Sequence, residues 1–372
     1  MAKTKKMKSR RSHGDGSVVW DCERSCFKAF FTEPNGKRIS KRFKEENEAK
    51  DWLTVKRAEV IQHQYVSPSN MTLGEWILHY LTHYVKGRVT IRTLESYHDD
   101  ALHLSPVANI PLQKIQTSDI QGLLNSLNMQ GYSASVQRKV QNLAKAALKR
   151  AVFERILQFS PAEYLSTPPL RPKELITFTP GEIGKILRAA AGHPWELALK
   201  INALTGMRQS ELLALRWEDI NFTTGEIEIK RKLVATKSQG LVIGEPKTVR
   251  SKRKISLSAG IVQELKQQRN ISGYLFTNTL GGLVDPSKYY KWYRELFQKI
   301  DVPYRPPNTL RHTHATILLQ NNEPILEVAS RLGHSNTSTT LNRYGHTIPG
   351  RDKALAQRAE ELLGLGAKVG AK

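Results

Sequence analysis

A chain of 372 residues, 39% of them hydrophobic, is long enough for two or three domains with cores of their own. Its 57 Lys and Arg against 34 Asp and Glu give a formal net charge of +23, which points to a polyanionic partner, nucleic acid before an anionic membrane surface. No run of about eighteen apolar residues occurs, so the expectation is a cytoplasmic, nucleoid-associated protein with no membrane partner. The two cysteines, Cys22 and Cys26, exclude a disulfide scaffold and fit a reducing compartment. With His13 they make at most half a zinc site, and no second pair follows, so no metal is expected.

Residues 1–12 carry six cations and no acid, with no apolar stretch behind them, and read as a basic arm, not a signal peptide. Strand-like runs follow at 17–20, 27–32 and 38–43, the last two separated by Glu33-Pro34-Asn35-Gly36, a strong hairpin signal. A helix is predicted from 45 to about 64. Lys37, Arg38, Lys41 and Arg42 crowd the third strand, where a basic ribbon can enter a DNA groove; a solvated edge strand guarded by lysines is the competing reading. Residues 66–71 read as a linker. The pattern then turns helical over 72–85, 90–104, 117–127 and 133–157, with Thr117-Ser118-Asp119 offering cap chemistry. The fourth stretch sets Lys139, Lys145 and Lys149 around an apolar stripe (Val136, Val140, Leu143, Ala147, Ala151), a DNA-clamping face or a solvated amphipathic one.

A proline-rich connection at 161–177 ends in Thr179-Pro180-Gly181-Glu182, a capping box with proline at the first helical position, and a last domain runs from 178 to 372. Within it, 230–254 holds nine cations against Glu245 alone and reads as a twisted hairpin sheet around Gly240 and Gly244. The fold expected is multidomain: a small β-sheet plus helix over 1–65, an all-α domain over 72–160, and a mainly α domain with a small β-sheet (α+β).

The chemistry sits in this last domain. Breaking a phosphodiester puts charge on two non-bridging oxygens, which guanidinium forks match bidentately. Arg208 and Arg311 are the candidates, with Glu211 three residues after Arg208 to hold its fork. Either arginine taken singly reads sooner as a structural ion pair than as a catalytic group. A tyrosine hydroxyl, pKa about 10, attacks only when its proton is removed or its oxyanion stabilised. Tyr344 is singled out because His334 precedes it by ten residues across a stretch rich in turn and cap residues. The departing 5′ oxygen needs a proton, and Lys247, in Glu245-Pro246-Lys247-Thr248, is the best-placed acid. Lys252, Lys254 and Arg250 read as phosphate contacts.

These residues carry a resemblance to the tyrosine recombinases, also called the phage integrase family, and most to its lambda-type three-domain integrases. The first box is matched by Gly206-Met207-Arg208, Glu211-Leu212, Leu215-Arg216-Trp217 and Asp219-Ile220. The hairpin lysine is matched by Pro246-Lys247-Thr248, and the last boxes by Leu310-Arg311-His312-Thr313, Leu332-Gly333-His334-Ser335 and Tyr344. The resemblance covers about 175–360, with the segments before it similar to the family's core-type and arm-type DNA-binding domains. It implies that Tyr344 forms a 3′-phosphotyrosyl link, Arg208, Arg311 and His334 hold the scissile phosphate, and Lys247 protonates the leaving group. It further implies that neither ATP nor a metal is needed, and that a homo-tetramer exchanges strands between double-stranded attachment sites to integrate or excise a mobile element. DNA-bending and excisionase-type accessory proteins are compatible partners. The segment 351–363 would pack on a neighbouring protomer or dock in cis.

One position departs from the family: Asn308 stands where it usually has histidine. Asparagine donates a hydrogen bond to a phosphate but cannot shuttle a proton near neutral pH. His312, four residues on, shares a helical face with Asn308 if the helix begins early enough, and would then substitute in part; a buried, hydrogen-bonded histidine is the competing reading. Asn308 also keeps open a weakened DNA-binding or architectural protein, and the chemistry alone a type IB topoisomerase-like enzyme. The separate basic N-terminal module favours recombination over relaxation.

Overall fold

In a computed structural model the described residues are 16–62, 65–169, 175–246, 252–269, 273–334, 336–345 and 352–363. They form two compact units that divide at 171/172, inside the expected proline-rich connection.

The first unit opens with a three-stranded antiparallel sheet in the order β1-β2-β3, from β1 (Ser17–Asp21), β2 (Cys26–Thr32) and β3 (Arg38–Phe43). The predicted turn closes the β2–β3 hairpin. Gly36 takes a φ of 86°, and the Asn35 side-chain oxygen accepts the Lys37 amide at 2.9 Å. Alternation buries Ala29 and Phe31 against α1 (Glu46–Ile61), with Ile39 and Phe43 half-buried beside them. The basic set therefore does not share one face. Arg38 and Arg42 stand opposite Thr32 and Lys28 on the outer face, with Arg38 stacked 4.3 Å over the Phe30 ring. Lys41 falls on the α1 side and covers Phe43, and exposed Lys37 precedes the strand.

The helical part of the unit begins at α2 (Leu73–Tyr80), whose capping box is Thr72 with Glu75, and runs on through a π-helical turn at Leu81–Val85. α3 (Ile91–Leu102), α4 (Thr117–Met129) and α5 (Ala134–Phe153) complete it around Trp76, whose indole N–H donates to the Ala147 carbonyl at 2.8 Å. Two expectations shift. The α4 cap lies one residue earlier than expected: Asp119 accepts the Gln116 amide at 2.8 Å, and Thr117 is already helical. α5 stops short of 157 because Arg155 turns left-handed at φ 57°. Its stripe is buried from Val140 to Ala151, while Lys139 and Lys149 are exposed and Lys145 half-exposed beside them.

The second unit starts at α6 (Pro180–Ala189), with the expected Thr179–Glu182 capping box in place. α7 (Glu196–Thr205) ends at left-handed Gly206, and the short α8 (Gln209–Leu212) follows. The 230–254 region is not one hairpin. β4 (Ile220–Asn221), β5 (Glu226–Ile229) and β8 (Arg253–Ser256) make one sheet, whereas β6 (Lys232–Thr236) and β7 (Gly240–Gly244) make a separate pair. α9 (Ala259–Gln267) and α10 (Pro286–Phe297) lead to α11 (Asn308–Gln320), α12 (Ile325–Leu332), α13 (Thr337–Tyr344) and α14 (Asp352–Leu362). Tyr344 is buried in a small core with Ala315, Leu319, Val328 and Leu332, so α11, α12 and α13 position the phenol together. On α14, Leu355 and Leu362 are exposed. Among the described residues no helix is long and apolar enough to cross a membrane.

Candidate active site

Two helix ends, each closed by a left-handed glycine, hold the buried guanidinium of Arg311. Gly206 ends α7 and Gly333 ends α12, where carbonyls left over from the helices point outward. Arg311, 4% exposed on α11, donates to the Gly206 carbonyl at 2.8 Å and to the Leu332 carbonyl at 2.7 Å. Burial first, then the like charge of Arg208, pushes Arg311 down to about 9. A cation held by neutral carbonyls among other cations gains energy when an anion arrives. Gly206→Ala should disturb this cradle: a Cβ there meets His314 Cδ2 at 2.8 Å and Leu332 Cδ2 at 2.9 Å, and the φ of 61° disfavours alanine. A loss of about 1–2 kcal/mol or more, with slower chemistry, is expected; thermal melting and a single-turnover assay would check it.

Arg208 precedes α8, and Glu211 clamps it, taking its guanidinium at 2.8 Å and its amide at 3.0 Å. Glu211 is 3% exposed and also receives Arg253 at 3.0 Å, so one buried carboxylate serves two arginines. Arg253 was not foreseen. Its signal was the alternation with Ile255 on β8, which turns both side chains inward while Lys254 faces out. Arg343, beside the phenol in sequence, was also missed; its charge acts on Tyr344, His312 and His334.

The imidazole hydrogen-bonded to the phenol is His312, with Nδ1 2.7 Å from the Tyr344 hydroxyl. His334, expected at the scissile phosphate, pairs through Nδ1 with Thr340 Oγ1 at 2.6 Å. Burial, then the charges of Arg311 and Arg208, push His334 down to about 4. Asn308 is the first residue of α11, and its side-chain amide meets His312 Nε2 at 2.9 Å. Burial pushes the Tyr344 phenol up, and Arg311, Arg343 and Arg208 pull it back in part. The structure thus brings Arg208, Glu211, Asn308, Arg311, His312, His334 and Tyr344 into one electrostatically coupled cluster. Lys252 is exposed, with its amine 3.7 Å from the Glu245 carboxylate. Lys247 and Arg250 lie outside the described residues.

A phenol flanked by an imidazole and fixed guanidinium groups is equipped for phosphoryl transfer. The model of the phage integrase family matches residues 177–350. A "Tyrosine recombinase XerC-like" protein of Caldanaerobacter subterraneus is 29% identical over 364 residues, covering 85% of this chain and 90% of that protein. An integrase of Streptomyces ambofaciens is 27% identical over 376 residues, covering 92% and 95%. Among solved structures, the Tn1549 transposon integrase in complex with a circular intermediate DNA matches with a TM-score of 0.68 at 22% identity, covering 78% of this chain and 99% of that one. A lambda integrase dimer bound to a COC′ core site matches with a TM-score of 0.59 at 15% identity, covering 91% and 96%. Residues 177–350 thus carry the match to the phage integrase family, and over most of its length the chain is similar to proteins named integrase and tyrosine recombinase.

Proposed function

We propose that this protein is a site-specific DNA recombinase that cuts and rejoins DNA through a covalent tyrosyl link to integrate or excise a mobile element. The observation that carries the reading is the Tyr344 hydroxyl set beside an imidazole and within the field of Arg311, Arg343 and Arg208. In this reading Tyr344 attacks the scissile phosphorus and forms a 3′-phosphotyrosyl link. Arg311 and Arg208 take the non-bridging oxygens, and the ring nitrogen of His334 not used by Thr340 adds a third donor. Lys247 protonates the departing 5′ oxygen. The phosphotyrosyl bond keeps the energy of the phosphodiester, so rejoining needs neither ATP nor metal.

The three-part layout, with residues 1–65 on an arm-type site, 72–160 on the core site and 178–372 on the scissile phosphate, belongs to the same proposal. It is supported by the separate cores around Phe31, Trp76 and the integrase-like second unit. Arg38 and Arg42 on the outer sheet face and Lys139, Lys145 and Lys149 on α5 would meet phosphates. A homo-tetramer on DNA follows from the chemistry of paired strand exchange, and the exposed leucines of α14 favour packing on a neighbouring protomer over docking in cis. DNA-bending and excisionase-type accessory proteins, and nucleoid association in a host cell, complete the reading.

The test is to incubate the protein, without metal or ATP, with supercoiled DNA carrying its native attachment region and to run denaturing gels. DNA should become linked to protein. Binding without any linkage would instead support a DNA-binding protein with a weakened site, and linkage with relaxation but no recombinant product a topoisomerase-like enzyme.

A further inference from the structure

The phenol of Tyr344 has a partner that phosphate binding does not require. His312 Nδ1 lies 2.7 Å from the Tyr344 hydroxyl, and the other ring nitrogen, Nε2, lies 2.9 Å from the Asn308 side-chain amide. Asn308 and His312 are one turn apart on α11, and Tyr344 closes α13, so the row exists only because the two helices share a core. Nucleophile, imidazole and side-chain amide in series form the arrangement by which proteins activate a weak nucleophile. The near nitrogen takes the proton, and a third group holds the far nitrogen. We propose, building on the recombinase reading above, that Tyr344, His312 and Asn308 form a nucleophile–base–orienter triad. His312 accepts the Tyr344 proton, and Asn308 is a positioning residue that sets the tautomer of His312.

The proton inventory closes. In cleavage the Tyr344 oxygen bonds to phosphorus as the bond from phosphorus to the 5′ oxygen breaks. The phenol proton passes to His312 Nδ1, and the 5′ oxygen takes one from the general acid. In rejoining, the 5′ hydroxyl gives up its proton, the phosphotyrosyl bond breaks, and His312 returns its proton to the phenol. Once His312 has accepted, both ring nitrogens carry protons, so Asn308 must present its carbonyl oxygen to Nε2. The Asn308 amide meets Nε2 at 2.9 Å; with its nitrogen there, the ring proton sits on Nδ1 and donates to the phenol oxygen. A half-turn of the amide puts its oxygen at Nε2 instead, and once the ring proton has passed through solvent from Nδ1 to Nε2 the near nitrogen is bare to accept.

The surroundings suit the role. Burial, then the charges of Arg343 on α13 and Arg311 on α11, hold His312 down at about 4, so it is uncharged and able to accept at neutral pH. A phosphodiester seated at Arg311 offsets part of that positive field, and the imidazole becomes more basic as substrate arrives. Asn308 in this setting is not a defect in the site, because the proton-accepting task falls to His312.

The full chain would be assayed for single-turnover adduct formation on a nicked duplex carrying the attachment region, from which the cut 5′ strand diffuses away. His312→Gln should slow the adduct by roughly 10²–10⁴-fold while DNA binding and melting are retained. A fluorinated tyrosine at position 344, whose phenol ionises near neutral pH, should restore most of that loss, since an ionised phenol needs no acceptor. A packing role for His312 predicts no such rescue. Asn308→Asp should move the acid limb of the rate–pH profile to higher pH, because a carboxylate facing Nε2 favours the imidazolium. Asn308→Ala should slow the reaction without that upward move. Should His312→Gln lose its fold, the fluorinated tyrosine in the Asn308→Ala chain should restore the rate above neutral pH, where the phenol is already ionised and no acceptor is needed. An unchanged rate in His312→Gln, a failed rescue, or an acid limb that stays put overturns the triad and leaves the Tyr344 link standing. A parental protein that forms no adduct while still binding DNA overturns both.

Discussion

Tyr344→Phe should abolish the covalent DNA adduct, by roughly 10⁴-fold or more, with DNA affinity unchanged. The phenyl ring keeps its place among Ala315, Leu319, Val328 and Leu332, so the core that joins α11, α12 and α13 is preserved. The hydroxyl is lost, and with it the hydrogen bond to His312 Nδ1, which is worth on the order of 1 kcal/mol in stability. No DNA-facing cation is altered, so binding, which rests on phosphate contacts, stays. The chain has twelve tyrosines, which makes the result discriminating. An adduct formed by Tyr344→Phe at the parental rate would move the nucleophile elsewhere and dissolve the site described here. The measurement is single-turnover adduct yield beside equilibrium binding of the same duplex.

What the sequence made legible was local. The Pro34-Asn35-Gly36 turn and the Thr179–Glu182 box are set by residues within one turn of each other, and both appear as expected. Arg208 and Glu211 were readable as a pair because three residues separate them on a helical start. The four-residue spacing of Asn308 and His312 likewise gave their shared face. Which histidine reaches Tyr344 was not readable, because it depends on how α13 packs against α11, a contact across 32 residues. Arg253 was hidden for the same reason: it reaches Glu211 across 42 residues, from a strand whose neighbouring lysines made it look like one more surface cation. The split of 230–254 into two sheets was decided by pairing of β8 with β5, which no turn residue announces.

Glu211→Ala should be the most damaging change to stability in the second unit. One carboxylate, 3% exposed, accepts from Arg208 at 2.8 Å and from Arg253 at 3.0 Å, and Arg253 is itself nearly buried. Without it, nearly buried Arg253 loses the Glu211 carboxylate while it still faces Arg311 and Arg331, both of which its charge already disfavours. Breaking such a pair from one side costs about 3–5 kcal/mol, which for a unit of this size lowers the melting temperature by roughly 6–20 °C. Arg208 contributes less to that figure, because its side chain is 41% exposed and screened by solvent, but its fork loses its fixed direction and phosphoryl transfer should slow as well. Glu211→Gln keeps one acceptor oxygen and should fall between. The pH dependence separates charge from shape. Burial pushes Glu211 up, but Arg253 and Arg208 outweigh it, and the carboxyl ends below its ordinary range. A depressed carboxyl stabilises the fold fully above its unfolded value of about 4.3 and loses that contribution as the pH falls through the folded value. The parental chain should therefore shed stability below about pH 4.3 more steeply than Glu211→Gln, which has no carboxyl to protonate. Equal acid slopes in the two proteins would mean that Glu211 holds the arginines by hydrogen bonding alone.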